Sequence, residues 1–586
     1  MDDRPAAARF AESQAAGMAV LTDVARRSGT SATLPAISTA AIPAAAIPAA
    51  ADPIPAIRQD PLSPPARATP PGTEQDDAPA AGRAQSRWPA VLRWALLTVI
   101  LAAQAALSAP LAWVNTAYVA EASALAAGHA EIAHWLHGSP SPAYATWFSG
   151  APVLYPPLGA LADSAGGLTA ARLLSLAFML GVTALLWATA SRLLGRRAGA
   201  CAAALFAVCA PALQLGSFAT ADALGLLLLA AAAWCVVSAQ DRDDSALRLV
   251  TGAALIALAN ATKYSTILFD PAVIALAGLA VAGRSGTKPA IARCGYLAAG
   301  TTGLVSALIA IGGPRYEAGV LTTTFSRGQG GHPPLPVLTE ALPWIAPVMA
   351  LAAAGIAVSA LRGNDRVRTL TLVILAAFGV AAPLNEARLH TAVSLARNCG
   401  FGLWFAAIAA GYAIAALSRL LPGAGRPVLR LAVPVALLAA VTVPAAWAGQ
   451  AQAAKLARSW PDSASLTAYL RAAVQAHPGQ YLAEDEAIPA YYLRSVTPVT
   501  RWSGTSYFHY DPPGPARPLT GLPAFRAAIR AHYFAVVVLD FASTRPADWE
   551  IAAELNLAGG YHSQVVRSSA GQYTIWIYEP AAGGGP

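Results

Sequence analysis

The chain has 586 residues, of which 56% are hydrophobic and only 12% charged, with a formal net charge of +8. A soluble domain carries about 25% charged residues, so a purely soluble chain is excluded. The positive charge is Arg-dominated and sits in gaps between apolar stretches, which excludes a nucleic-acid-binding face as its cause.

Residues 1–88 are rich in Ala, Pro, Ser and Thr, with runs such as AIPAAAIPAAADPIPAI. Proline at this density opposes a helix, and few large side chains are available to bury. A disordered cytoplasmic tail is expected, without a cleavable signal peptide.

Eleven apolar stretches follow, at 91–113, 170–191, 198–216, 220–239, 247–262, 265–283, 292–313, 341–361, 369–384, 399–418 and 428–449. A run of about 20 apolar residues matches the roughly 30 Å hydrocarbon core of a bilayer. The fold class expected is an all-α polytopic membrane protein with about eleven transmembrane helices over 89–450. The gaps alternate in charge. With the N-terminal tail inside, the inside gaps hold fourteen cations: Arg192, Arg196, Arg197, Arg242, Arg248, Arg284, Lys288, Arg293, Arg362, Arg366, Arg368, Arg419, Arg426 and Arg430. The outside gaps hold five: Lys263, Arg315, Arg327, Arg388 and Arg397. This asymmetry places the N-terminus in the cytoplasm and residues 451–586 outside the cell. The last region has ordinary polarity. YFAVVVLDF (533–541) and GQYTIWIYEP (571–580) read as strands, and 464–476 and 522–532 have helical spacing, so a small extracytoplasmic α/β domain is expected. The five cysteines, Cys201, Cys209, Cys235, Cys294 and Cys399, lie in or beside apolar spans and fit no metal spacing.

Two outside gaps are long, 114–169 and 314–340. The first carries apolar residues at helical spacing through Tyr118, Leu125, Ile132 and Leu136, which predicts an amphipathic interfacial helix. It also holds Glu121, His129, His134 and His137, then Tyr144, Trp147 and Phe148, and a YPPL turn at Tyr155–Leu158. Glu121 at membrane depth is costly without a partner or a task. The histidines lack an i, i+4 pair, so a zinc site is not expected. Asp222 begins an unbroken apolar helix, where it complements the helix dipole or serves a site. Lys263 lies between two apolar helices, where it either snorkels to water or holds a phosphate. The second loop, with Gly328-Gln329-Gly330-Gly331 beside His332-Pro333-Pro334, has the composition of a lid or of a flexible connector, and Arg327 is its candidate cation. The ninth-to-tenth gap adds Arg388, His390 and Arg397.

The order of these features resembles the GT-C glycosyltransferases, and more narrowly the bacterial relatives of protein O-mannosyltransferases and lipid A aminoarabinose transferases. The resemblance covers about residues 90–450. It rests on the acidic first outer loop, on YPPLGALADSAGGLTAARLLSL, on RLLGRRAGACAAALFAVCAPALQLGSFATADALGLLLLA and on ATKYSTILFDP. It implies an inverting hexosyl- or pentosyltransferase of the cell membrane that moves a sugar from a polyprenyl-phosphate donor to a glycan, lipid or protein acceptor. Glu121 and Asp222 would be catalytic, and Lys263, Arg327 and Arg397 would bind the donor phosphate. His129, Tyr155 and His390 would contact substrate. No defined cofactor is implied, and a divalent cation is compatible with the family. The family carries Asp-Glu where this chain has Ala120-Glu121, so Glu121 would take the base role. A catalytically impaired relative that binds lipid-linked glycan is one alternative; a lipid or sugar transporter is another. Trp460, Tyr491, Tyr492, Trp502 and Tyr507 of the last region are expected either to stack on sugars or to fill a core.

Overall fold

The computed structural model describes residues 90–140, 148–239, 245–325, 330–363, 365–419, 429–506, 508–513, 517–542, 544–568 and 571–580. The N-terminal tail, Tyr144, Trp147, Arg327 and Tyr507 lie outside the described residues.

The helices are α1 (Ala90–Ser108), α2 (Val119–His137), α3 (Tyr155–Leu194), α4 (Arg196–Ala207), α5 (Ala210–Leu215), α6 (Ala221–Ser238), α7 (Ser245–Thr262), α8 (Asp270–Ser285) and α9 (Thr287–Val320). They continue with α10 (Pro334–Leu361), α11 (Arg366–Phe378), α12 (Ala381–Arg388), α13 (Leu395–Leu417) and α14 (Leu429–Ala457). Ten segments among the described residues are long and apolar enough to cross a membrane. With the fold likeness reported below, they make the chain a multi-pass membrane protein.

The expected stretch 198–216 is the one that differs. It breaks into α4 and α5 at Val208–Cys209, with Pro211 in the first turn of α5. Pro is tolerated there because its missing N–H has no helical acceptor to satisfy. The broken pair still runs the depth of the bundle beside α13. Gly411 lies against Ala198 and Ala202, and Gly400 lies against Pro211 and Leu215. Beyond Arg397 and Asn398 in its first turn, helix α13 is apolar on every face, and it is buried almost along its full length, as such a helix must be. Phe269, Phe401 and Phe405 stack at its flank with centroids 5.6 and 6.1 Å apart. By contrast Thr287–Pro314 and Val435–Ala457 bury little of their surface within the protein.

The YPPL segment is not an isolated turn. Tyr155 opens α3, with both prolines in the first turn, and the helix kinks at Gly166–Gly167. Gly167 adopts φ +66°, a backbone state that glycine reaches without a Cβ clash. Residues 314–320 are helical beyond a break at Gly313 (φ +72°), Leu321–Phe325 forms a π-helical turn and α10 begins at Pro334, so much of the expected loop 314–340 is helix; residues 326–329 lie outside the described residues.

The last region holds α15 (Ala464–Ala476), β1 (Gln480–Ala483), α16 (Ala487–Tyr492), β2 (Trp502–Gly504), β3 (His509–Tyr510), β4 (Leu519–Thr520), α17 (Leu522–Arg530), β5 (Phe534–Leu539), α18 (Arg545–Leu557), β6 (Tyr561–Ser568) and β7 (Gly571–Tyr578). The main sheet has the order β2-β1-β5-β7-β6; β2, β1 and β5 are parallel and the last two antiparallel. Trp502 packs on Tyr481 within this core, 4.9 Å between centroids, and is not a surface platform.

Candidate functional site

Helix α2 is fixed at its start by Glu121. Its carboxylate accepts from the Tyr118 backbone N–H (3.0 Å), closing a cap on its own helix. It also accepts from the Ala219 N–H (2.8 Å) and from Arg172 twice, Nε at 2.8 Å and Nη2 at 2.7 Å. Four hydrogen bonds fill the carboxylate, and the residue is 0% exposed. Arg172 spends its remaining donors on the Ala112, Asn115 and Thr116 carbonyls. Glu121 thus ties the first loop to Arg172 of α3 and to the Ala219 backbone, with each lone-pair position of its carboxylate engaged. Arg172 was legible as a lone cation inside the second apolar run, the kind of residue a membrane helix keeps only with a partner.

A second buried cluster gathers at the start of α6. Asp222 Oδ2 accepts from Thr220 Oγ1 (2.6 Å) and from Arg397 Nη1 (3.3 Å), and Oδ1 accepts from Lys263 Nζ. Asn398 donates to Glu386 Oε1, and Glu386 Oε2 has no partner although it is 1% exposed. Two acids and two cations are thus buried in this part of the bundle, drawn from α6, α12, α13 and the α7–α8 junction. Three of them, Asp222, Lys263 and Arg397, were singled out in the sequence. Glu386 was missed; its signal was a lone acid closing an apolar run.

Arg397 also faces a cavity of about 560 Å3 lined by Gln214, Phe218, Glu340, Trp344, Lys455 and Trp460, with Tyr118 at its rim. The Arg397 guanidinium lies 5.5 Å from the Phe218 ring centre. Tyr118, Phe218 and Trp460 form an aromatic triad with centroids 5.3–5.7 Å apart. Lys263 is not among the lining residues; it backs Asp222 from behind and approaches the Phe401 ring at 5.6 Å. Lys455 is a cation the sequence reading passed over, because it lies just past the last apolar run.

Tyr118 and Trp460 also wall a smaller cavity of about 50 Å3 beside the sheet, lined by Asp485 and Asp540. Burial first, and the neighbouring Glu484 next, push the Asp485 carboxyl up to about 6 and that of Asp540 up to about 8. Glu484 itself accepts the backbone N–H groups of Asp540, Phe541, Ala542 and Thr544.

The remaining expected site residues lie elsewhere. His129 Nε2 bonds Asp163 (2.7 Å), which also accepts from Tyr491 (2.5 Å) and Arg494 (2.8 Å). This network joins α2 and α3 to α16 and leaves His129 outside both cavities. Tyr155 is fully buried against Ala124 and Ala221. His390 pairs through backbone and ring with His332, closing the short 330–333 segment. Tyr492 accepts from the Ala117 N–H (2.8 Å). Among the described residues, no three His, Cys, Asp or Glu side chains gather as metal ligands.

The polytopic bundle, with the capped helix of its first loop and the small mixed sheet of its last region, shares its fold with several solved structures. Two of them are structures of ArnT from Cupriavidus metallidurans. The apo form aligns with TM-score 0.53 at 13% identity, over 83% of this chain and 98% of that one. The form bound to undecaprenyl phosphate aligns with TM-score 0.52 at 15% identity, over 85% and 99%. The Archaeoglobus fulgidus oligosaccharyltransferase tethered to an acceptor peptide aligns with TM-score 0.52 at 12% identity, over 84% and 74%. Residues 160–310 match the family described as dolichyl-phosphate-mannose-protein mannosyltransferase. No curated protein sequence matches the chain. The resemblance read from the sequence therefore holds at the level of fold.

Proposed function

We propose that the chain is a membrane glycosyltransferase that takes its sugar from a polyprenyl phosphate at the extracytoplasmic face, with the N-terminus in the cytoplasm. The observation that carries this reading is the cavity flanked by Arg397 and Lys455, next to a membrane-embedded core. A phosphodiester leaving group needs fixed cations where its charge develops, and a water-poor site makes such cations effective. Arg397 is the exchangeable one. Its single contact to Asp222 is long, so the guanidinium can turn to a phosphate while Lys263 keeps Asp222 neutralised. Asp222 acts here by poising the two cations. The acceptor is a hydroxyl of a glycan, lipid or protein that approaches past Tyr118 and Trp460; its oxygen bonds to the anomeric carbon with inversion as the bond from that carbon to the phosphate oxygen breaks, and the hydroxyl proton passes to the released polyprenyl phosphate.

A second reading is favoured by one observation. Ala120 stands where the family carries an aspartate, and Glu121 is saturated. On that reading the protein binds a lipid-linked glycan without turning it over. Purified protein separates the two. Arg397→Ala should weaken undecaprenyl phosphate binding about tenfold to a hundredfold, the range of one lost charge-assisted hydrogen bond. Unchanged affinity in that variant removes the phosphate site. Tight binding with no sugar release in the wild type selects the binding-only reading.

A further inference from the structure

Sugar transfer takes a proton from the acceptor hydroxyl, and the acids of the first loop and of α6 are not free to receive it. Ala120 has no carboxylate, and Glu121 has each lone-pair position engaged. Asp222 is held by Thr220, Lys263 and Arg397. Glu386 does not line the larger cavity, and its unpaired oxygen is buried. Among the described residues, one acid does line that cavity. Glu340, on α10, is exposed and makes no hydrogen bond or ion pair with any described residue.

Helix packing sets Glu340 level with Arg397. Helices α10 and α13 both start beside the cavity and run parallel from it, and Gly355 of α10 lies against Ala409 and Ala413 of α13. Followed back from that contact by an equal rise, α10 reaches Glu340 where α13 reaches Ala396 and Arg397. Trp344, one turn on from Glu340, lines the same cavity, so this face of α10 looks into it. One chamber thus holds two cations for a phosphate, Arg397 and Lys455, and one carboxylate with free lone pairs, behind the Tyr118–Trp460 entry.

We propose that Glu340 is a catalytic residue, the general base for the acceptor hydroxyl, supplied by α10 and not by the first loop. The proposal rests on the lipid-phosphate reading above and names the group that carries the proton within it. The acceptor O–H donates to the Glu340 carboxylate. As the acceptor oxygen bonds to the anomeric carbon and the bond from that carbon to the phosphate oxygen breaks, the proton moves to Glu340. The neutral acid then gives it to the released polyprenyl phosphate, which restores the carboxylate.

The test uses the full chain in detergent, a panel of undecaprenyl phosphoryl hexoses and pentoses, and envelope extract of the expressing cells as acceptor. Release of undecaprenyl phosphate is the readout. Glu340→Gln should slow release at least about hundredfold, the lower end of what a general base supplies. It should bind undecaprenyl phosphate as tightly as the wild type or more so, because a negative charge has left the cavity. Azide separates a base from a structural role. The azide ion has no proton to lose, and its nitrogen bonds to the anomeric carbon as the phosphate leaves. Azide should therefore speed release by Glu340→Gln at least about tenfold, recovering part of the lost factor, and yield a glycosyl azide of inverted configuration. It should not restore Arg397→Ala. A Gln variant that releases at the wild-type rate, that loses undecaprenyl phosphate binding in step with release, or that ignores azide overturns the proposal and leaves the Arg397 site standing. Azide rescue of Arg397→Ala to the same extent also overturns it. A wild type that binds undecaprenyl phosphate but releases none from any sugar-bearing lipid overturns it and selects the binding-only reading. A wild type that binds no undecaprenyl phosphate overturns both.

Discussion

At the scale of single residues, the two clusters differ in what their charges are free to do. The Glu121–Arg172 pair is closed, because every donor and acceptor is matched and neither side chain is exposed. Breaking one side of such a pair strands a buried charge, at about 3–5 kcal/mol. Glu121→Gln should therefore lower the thermal unfolding midpoint in detergent together with any sugar transfer. A variant with wild-type stability and no transfer would return Glu121 to the reacting centre. The Asp222 cluster is open by comparison, since Arg397 has a long contact on one side and a cavity on the other. The sequence supplied Asp222, Lys263 and Arg397 because ionisable groups stand out against apolar runs. It did not supply their pairings, which join residues 41 and 175 positions apart. Nor did it separate the anchoring role of Glu121 from a chemical one. That distinction depends on Ala219 and Arg172, which are distant in the chain and close only once the helices pack.

At the scale of elements, the legible part was periodicity and the illegible part was interruption. Helix α2 and the strands β5 and β7 lie where the chain was read to within a few residues, but α2 lacks the expected amphipathic face: its first half is buried around most of its girth and Leu136 is exposed. The break between α4 and α5 and the kink in α3 were not read, because apolar content alone does not report where backbone hydrogen bonds lapse. Close approach decides the α4–α13 contact. A Cβ on Gly411 would stand 2.5 Å from both the Ala198 carbonyl oxygen and the Ala202 nitrogen, which are backbone atoms that cannot swing aside. Gly411→Ala gains up to about 1 kcal/mol of helix propensity. Overpacking costs about 1–3 kcal/mol, so the net effect should be a lower unfolding midpoint. A midpoint that rises would show that the two helices separate without penalty.

At the scale of the whole molecule, the sheet region is bound to the first loop and not merely tethered by α14. Asp163 is the hub, holding His129 from α2 and both Tyr491 and Arg494 from the α16 segment. Asp163→Ala should speed backbone hydrogen exchange through Ala487–Tyr492 and Val119–His137 and leave the buried helix Leu395–Leu417 unchanged. Equal protection in mutant and wild type would show that the remaining contacts hold the two parts alone. If the sheet region did come free, the wall shared by the two cavities would open, because Trp460 and Tyr118 belong to opposite sides of that junction.

The same junction sets a schedule for making the protein. Asn115 donates its amide to the Trp460 carbonyl, a partner 345 positions later, and Thr116 caps the Ser463 backbone N–H. At about 5–20 residues per second of synthesis, that partner emerges from the ribosome roughly 20–70 s after the loop itself. During that interval the hinge ahead of α2 has donors and carbonyls exposed to whatever surrounds it. The first loop is thus among the last parts to be completed, and a chain truncated before residue 460 would leave the membrane insertion machinery with that hinge still unfinished.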